Sequence, residues 1–188
     1  MRKTGIALIF ALCLCAVEMV RADGIQRELG EKLVRLHIIA NSDSEYDQSI
    51  KIAVRDELLK TGSLKPEMLQ ETANGTLSRL GAEYGAEVDL KNRYVPQKTY
   101  KNVALPEGVY RCVDVVLGRG GGENWWCIAY PPLCFTEAVT GDMSDAAKEE
   151  LKKRLSTESL NTILKNEDIT FKFKIVEDFQ KIMNFLEE

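Results

Sequence analysis

The chain has a single histidine, His37, set in VRLHIIANSD, and three of its five cysteines, Cys112, Cys127 and Cys134, lie beyond the first two dozen residues. A thiol, an imidazole and a third polar group are the parts of a cysteine hydrolase: the imidazole takes the thiol proton and the third group orients the imidazole. The set available here is Cys127 or Cys134 as nucleophile, His37 as base, and Asn41 or Asp43 behind it. Other chemistries fail by inventory. One histidine cannot supply the ligands of a common catalytic zinc site, and Cys127 and Cys134, with six residues between them, do not match a zinc-finger pair. There is no G-x-S-x-G elbow, and nothing calls for a metal or a small-molecule cofactor.

The first residues set the compartment. MRKTGIALIFALCLCAVEMVRADG runs from Arg2 and Lys3 into an apolar stretch, Gly5 to Val17, that Glu18 ends. The stretch is short for a membrane span, and Val20-Arg21-Ala22 suits a signal peptidase. The pattern predicts a signal peptide over 1–22, cut between Ala22 and Asp23, or the same segment kept as an uncleaved membrane anchor. Residues 23–188 then form one domain, a length that buries a sizeable core. Either way the domain is exported across the cytoplasmic membrane, and exported cysteines pair or pack more often than they attack. Removing Arg2, Lys3, Arg21 and Glu18 moves the net charge from −4 to −6. With no basic stripe carrying interleaved aromatics, nucleic acid is excluded as a partner.

The elements that must position these residues follow from periodicity. Val34 to Ile39 is a strand by its branched residues. A helix follows, capped by Ser44 with Asp47 three places on, and Ile50, Ala53, Val54 and Leu58 fall at helical spacing. A second helix starts near Pro66 and carries Leu69, Ala73, Leu77, Leu80 and Tyr84. The period then changes to two over Val88, Leu90 and Tyr94, and Pro96 and Pro106 bracket a loop. Val109 to Leu117 is a central strand, with Val109, Val113, Val115 and Leu117 on one face and Tyr110, Cys112 and Val116 on the other. GRGGG, Gly118 to Gly122, leads into a strand and not a helix, so it reads as a hairpin loop and not a phosphate cradle. A helix with Ala147, Leu151 and Leu155, a strand with Phe171, Phe173 and Ile175, and a closing helix from Phe179 to Leu186 complete the chain. The order β-α-α-β-β-β-α-β-α predicts an α+β fold, with helices packed on a mixed, mostly antiparallel sheet.

Two patches are candidate contact surfaces. ENWWCIAYPPLCF holds both tryptophans, Cys127 and Cys134. Trp125 and Trp126 are adjacent on a strand and point to opposite faces, so one can enter the core while the other faces out beside Gly120 and Asn124 as a binding anchor; a helix covering that face would put both in the core. Cys127 and Cys134 either bridge a tight Tyr130-Pro131-Pro132 turn or stay as reduced core cysteines. The other patch is His37 to Asp43, where His37, Asn41 and Asp43 gather beside the capped helix. Its structural alternative is that Asn and Asp end the strand and cap the helix while His37 bonds a backbone carbonyl.

VRLHIIANSDSEYDQSIKIAVRDELL (Val34 to Leu59) and GRGGGENWWCIAYPPLCF (Gly118 to Phe135), with YVPQKTY and LPEGVYRCVDVVLG between them, resemble the stage II sporulation protein R family of endospore-forming bacteria. The resemblance implies an intercellular signal. Members are made in the forespore, exported into the space between the two membranes, and needed to switch on the membrane-embedded aspartic protease, stage II sporulation protein GA, that trims pro-sigma-E in the mother cell. It implies a protein ligand acting by contact, with no catalysis of its own. The contact residues expected from the two patches are His37, Asn41, Asp43, Gly120, Asn124, Trp125 and Trp126.

Overall fold

Six residues, VRLHII, are branched or apolar except for Arg35 and His37, and such a run is stable as a strand only when it is covered on both faces. That is where β1 (Val34–Ile39) lies: all of it is buried except Ile39, which is half-buried. The structure, a computed structural model, describes residues 2–100, 103–131, 133 and 145–164. The described elements run α1 (Arg2–Lys32), β1, α2 (Glu45–Thr61), α3 (Pro66–Arg79), β2 (Ala86–Val95), β3 (Lys98–Tyr100), β4 (Val103–Leu105), β5 (Gly108–Leu117), β6 (Asn124–Tyr130), α4 (Asp145–Arg154) and α5 (Thr157–Leu164).

The main sheet has four strands in the order β2-β5-β1-β6, and β3 and β4 form a separate two-stranded unit. The β1–β5 pairing is parallel, with His37 opposite Asp114, while β1–β6 and β2–β5 are antiparallel. The fold is therefore α+β with a mixed, mostly antiparallel sheet, as the periodicity predicts. One face carries Leu36, Ile38, Val113, Val115 and Leu117 and packs against Ile50, Val54 and Leu58 of α2 and Leu69, Ala73 and Leu77 of α3. Ser44 caps α2, its hydroxyl accepting the Asp47 N–H at 3.2 Å. The opposite face carries Tyr110, Cys112 and Ile128 under Ile25, Leu29 and Leu33, with Leu151, Leu155, Leu160 and Ile163 alongside.

Several elements depart from the sequence expectation. The glycine segment is not a hairpin loop, because β5 and β6 do not pair with each other: β1 lies between them. The loop bracketed by Pro96 and Pro106 contains β3 and β4, strands too short for periodicity to register. The single helix expected around Leu151 is two, α4 and α5, and Leu80 is exposed just past the end of α3. The strand at Phe171 to Ile175, the helix at Phe179 to Leu186 and Cys134 lie outside the described residues.

α1 passes without a break through Ala22 and Asp23 and ends as a core helix. Its first half exposes Ile6, Leu8, Ile9, Phe10 and Leu12, whereas Leu29 is fully buried. Among the described residues no helix is long and apolar enough to cross a membrane. Gly30 lets α1 lie on β5, since a Cβ there would run into the Val109 carbonyl, and the Gln26 amide donates to that same oxygen at 2.9 Å. Glu28 ties α1 to α5: its carboxylate accepts from Lys32 Nζ at 2.7 Å, from the Ser156 N–H at 2.8 Å, from Ser156 Oγ at 2.6 Å and from Ser159 Oγ. A carboxylate at a helix N-terminus also meets the positive end of the helix dipole. Burial alone would push the Glu28 carboxyl up, but the hydrogen bonds from Lys32, Ser156 and Ser159 outweigh it and hold the group at about 2.

Glu28→Gln is expected to cost about 1–3 kcal/mol of stability in urea unfolding at neutral pH, because charge-assisted bonds are replaced by weaker or mismatched ones. The folded-state value lies below the ordinary 4.5, so this contribution is complete above pH 4.5 and is lost as pH falls towards 2. The gap between the wild type and the variant should close over that window.

Candidate functional site

The chain leaving β5 at Leu117 must reach β6 across the end of β1, two strand spacings or about 10 Å away. Residues 118–123 make that crossing and pass directly over the segment that leaves β1, Ala40 to Asp43. The two segments bond backbone to backbone. Gly121 N–H donates to Asn41 O at 3.1 Å, Gly122 N–H donates to Ala40 O at 3.0 Å, and Ala40 N–H donates to Glu123 O at 3.4 Å. Side chains complete the clamp. Asn41 Oδ1 accepts the Arg119 N–H at 3.0 Å, and Asp43 Oδ1 accepts the Glu123 N–H at 2.7 Å. Lys51 Nζ, on α2, donates to Glu123 O at 3.0 Å and to Gln48 Oε1. Burial lowers the Lys51 pKa.

Behind this clamp sits Asp47, buried in the first turn of α2. It accepts from Asn41 Nδ2 at 2.9 Å, from Ser42 Oγ and from Tyr84 O–H. The bonds from Ser42 and Tyr84 hold the Asp47 carboxyl below the ordinary carboxylate value, while burial and the Asp47 charge push the Tyr84 phenol up. Close approach of the two segments depends on Gly122, where a Cβ would meet the Ser42 carbonyl, and Gly120 takes a left-handed φ of 62° over Val116.

Beneath the same strand ends lies a second network. His37 is 2% exposed and Asp114 is 1% exposed. His37 Nδ1 is 2.9 Å from Asp114 Oδ1, its Nε2 is 2.6 Å from Asn124 Oδ1, and its ring stacks on Trp126 at 3.7 Å and 9°. Asp114 Oδ2 receives Arg93 Nε at 3.0 Å and Lys91 Nζ at 3.4 Å. Asp114 is an ion-paired acceptor, so Nδ1 carries a proton and donates to it. Burial pushes the His37 pKa below the ordinary 6.5, against the pull of its hydrogen bonds with Asn124 and Asp114. On the same face Arg35 is fully buried, 5.5 Å from the Tyr110 ring centre and 5.8 Å from that of Trp126, and donates from Nε to Cys127 O at 3.2 Å.

These placements divide the predicted residues. Asn41, Asp43 and Gly120 meet in the clamp, and His37, Asn124 and Trp126 meet beneath it. His37 is buried and is bonded by side chains and not by a backbone carbonyl. Neither tryptophan faces outward. Trp126 lies on His37, while Trp125 packs against the α2–α3 core with the Arg55 guanidinium 5.3 Å over its ring, so each sheet face half-covers one. The hydrolase set built on Cys127 does not assemble: Cys127 sits on the face opposite His37, among the α2–α3 core residues, and is disulfide-bonded. Asn41 and Asp43 orient backbone amides and not the imidazole; Asp114 orients it. Among the described residues no group of three or more His, Cys, Asp or Glu could hold a metal ion.

Sequence reasoning missed Asp114, Arg93 and Arg35, and it placed Asp47 in the Ser44 cap without its bonds to Asn41, Ser42 and Tyr84. A lone carboxylate in RCVDVVL, on the same face as Cys112, was the available signal for Asp114.

An α+β domain whose polar residues are spent bracing one loop, with both resembling blocks in that brace, is the class of protein these features define. The family model described as stage II sporulation protein R matches residues 30–140, and the chain belongs to that family. It is 31% identical to the stage II sporulation protein R of Bacillus subtilis (strain 168) over 199 aligned residues, covering 92% of this chain and 86% of the relative. No solved structure matches. Membership of the family gives the chain a role in sporulation.

Gly122→Ala is expected to lose about 1–3 kcal/mol in urea unfolding, since the loop must move off the Ser42 carbonyl. Gly75→Ala, in α3 with open space around its Cβ, should instead gain about 0.5–1 kcal/mol. For His37 the folded-state pKa lies below the unfolded one, so its stabilising contribution is complete above pH 6.5 and drains away as pH falls below it. The melting temperature of the wild type should drop over that range, and His37→Gln, which does not titrate there, should flatten the slope.

Proposed function

We propose that this chain is the exported intercellular signal of endospore formation. It acts in the space between forespore and mother cell and activates, by contact, the membrane-embedded aspartic protease that trims pro-sigma-E. The observation that carries this reading is the braced loop. The two blocks that resemble the family, far apart in sequence, make one rigid strand-end surface with Asp43, Arg119, Glu123 and Asn124 exposed on its rim. A preorganised rim loses little entropy on docking, which suits a protein ligand. Chemistry by the one imidazole is disfavoured, because both of its ring nitrogens are engaged and Cys127 lies on the other face.

Export accords with the helix anatomy. A cut after Ala22 falls before Ile25, the first core residue of α1, and leaves Leu29, Leu33 and the Glu28 tie in the domain.

Co-expression of the full chain with the candidate protease and pro-sigma-E in a non-sporulating host, followed by immunoblotting, tests the reading. Protease-dependent shortening of the sigma factor is expected only when the chain is present. No shortening with all three proteins made and the domain folded would overturn it. Glu123→Ala keeps the backbone bonds of the clamp, and a rim contact predicts about a tenfold loss of shortening with an unchanged melting temperature.

A further inference from the structure

The His37 ring is held on two sides by groups of different kinds. On Nδ1 the partner is a carboxylate, which can only accept; on Nε2 it is the Asn124 carboxamide, which accepts through Oδ1 or donates through Nδ2. With Nδ1–H committed to Asp114, the state of Nε2 dictates the amide. A protonated ring donates from Nε2 and needs the amide oxygen, which is the arrangement observed at 2.6 Å. A neutral ring presents a lone pair at Nε2 and needs the amide N–H. Half a turn about the last side-chain bond of Asn124 exchanges the two atoms, and Asn124 is exposed, so solvent can partner whichever atom is turned out.

We propose that His37 and Asn124 form a proton-operated switch at the end of the sheet. Neutral His37 accepts from Asn124 Nδ2, protonated His37 donates to Asn124 Oδ1, and the inversion changes which atom the exposed amide offers at the rim. In the neutral state the rim shows a carbonyl oxygen; in the protonated state it shows an NH2.

The surroundings support both states. Facing the ring are Asp114 on β5, with Arg93 and Lys91 of β2 on its other oxygen and Asp89 holding Lys91 at 3.2 Å. Arg35 lies on β1 itself, Cys112 on β5, and Trp126 on β6. The carboxylate and the stacked indole favour the imidazolium, whereas burial and the Arg93 and Arg35 charges oppose it. Burial outweighs the bonds to Asn124 and Asp114, so the ring takes up its proton below the ordinary 6.5. The switch belongs to the fold and operates whatever protein the rim meets.

Because the chain has one histidine, the test is direct: 15N-labelled full-length protein in detergent, titrated by NMR, with the His37 ring nitrogens and the Asn124 side-chain NH2 followed together. The ring should pass from the Nδ1–H tautomer to imidazolium, and the Asn124 NH2 signals should move with the same midpoint. Asn124→Asp, which fixes an acceptor at Nε2, should raise the His37 midpoint by about one pH unit. An Nε2–H tautomer in the neutral state would overturn the proposal, since the amide oxygen would then serve throughout. So would Asn124 signals that stay still while His37 titrates, or a ring that stays neutral until the fold is lost.

Discussion

The placement of β1 between β5 and β6 is the constraint on which the rest depends. A strand bonded on both edges and covered on both faces has no freedom of register, because slipping by one residue would exchange Leu36 and Ile38 for Arg35 and His37. Its two neighbours enter from opposite directions, β5 parallel and β6 antiparallel. The connection between them must therefore cross the end of β1 and meet the chain that leaves it. Contact between the ANSD and GRGGGE segments is thus a product of topology, and their side chains refine it. Three glycines together fit a crossing where backbone lies on backbone.

The same register puts charge inside the sheet. His37 lies opposite Asp114 across the parallel pair, and burying the two would be costly without the cations that β2 supplies from the next strand. Arg93 and Lys91 reach Asp114 from a half-open edge strand, so the charge is balanced at the boundary between core and solvent. Arg35 is handled differently, its guanidinium lying between the Tyr110 and Trp126 rings. The polar groups of this face form one row from β2 through β5 and β1 to β6, ending at the exposed Asn124.

α1 joins the apolar N-terminal segment to the core. Its first half meets solvent with apolar side chains, and its second half closes the face over Tyr110, Cys112 and Ile128. One helix thus serves two environments, and the change between them falls near Ala22, where the residues themselves suggest a processing site. Arg21 marks the boundary, paired to Glu18 on its own helix and to Glu158 on α5.

By itself the sequence determined the elements with strong periodicity and the fold class they imply. The alternation in β2, the branched runs of β1 and β5, the Ser44 cap and the stripe of α3 are local properties, decided by which residues lie two, three or four apart. It also carried the two blocks that mark the family. Only the tertiary structure decided which strand stood between which. That order turned an apparent hairpin into a crossover, put Cys127 and His37 on opposite faces, and moved the orientation of the imidazole from Asn41 or Asp43 to Asp114, a residue 77 positions away. Nothing in the spacing of VRLHII and RCVDVVL announces that their polar residues face each other. Strand pairing is a contest among long-range contacts, settled by the packing of the whole domain, and the site is assembled at the point where that contest is resolved.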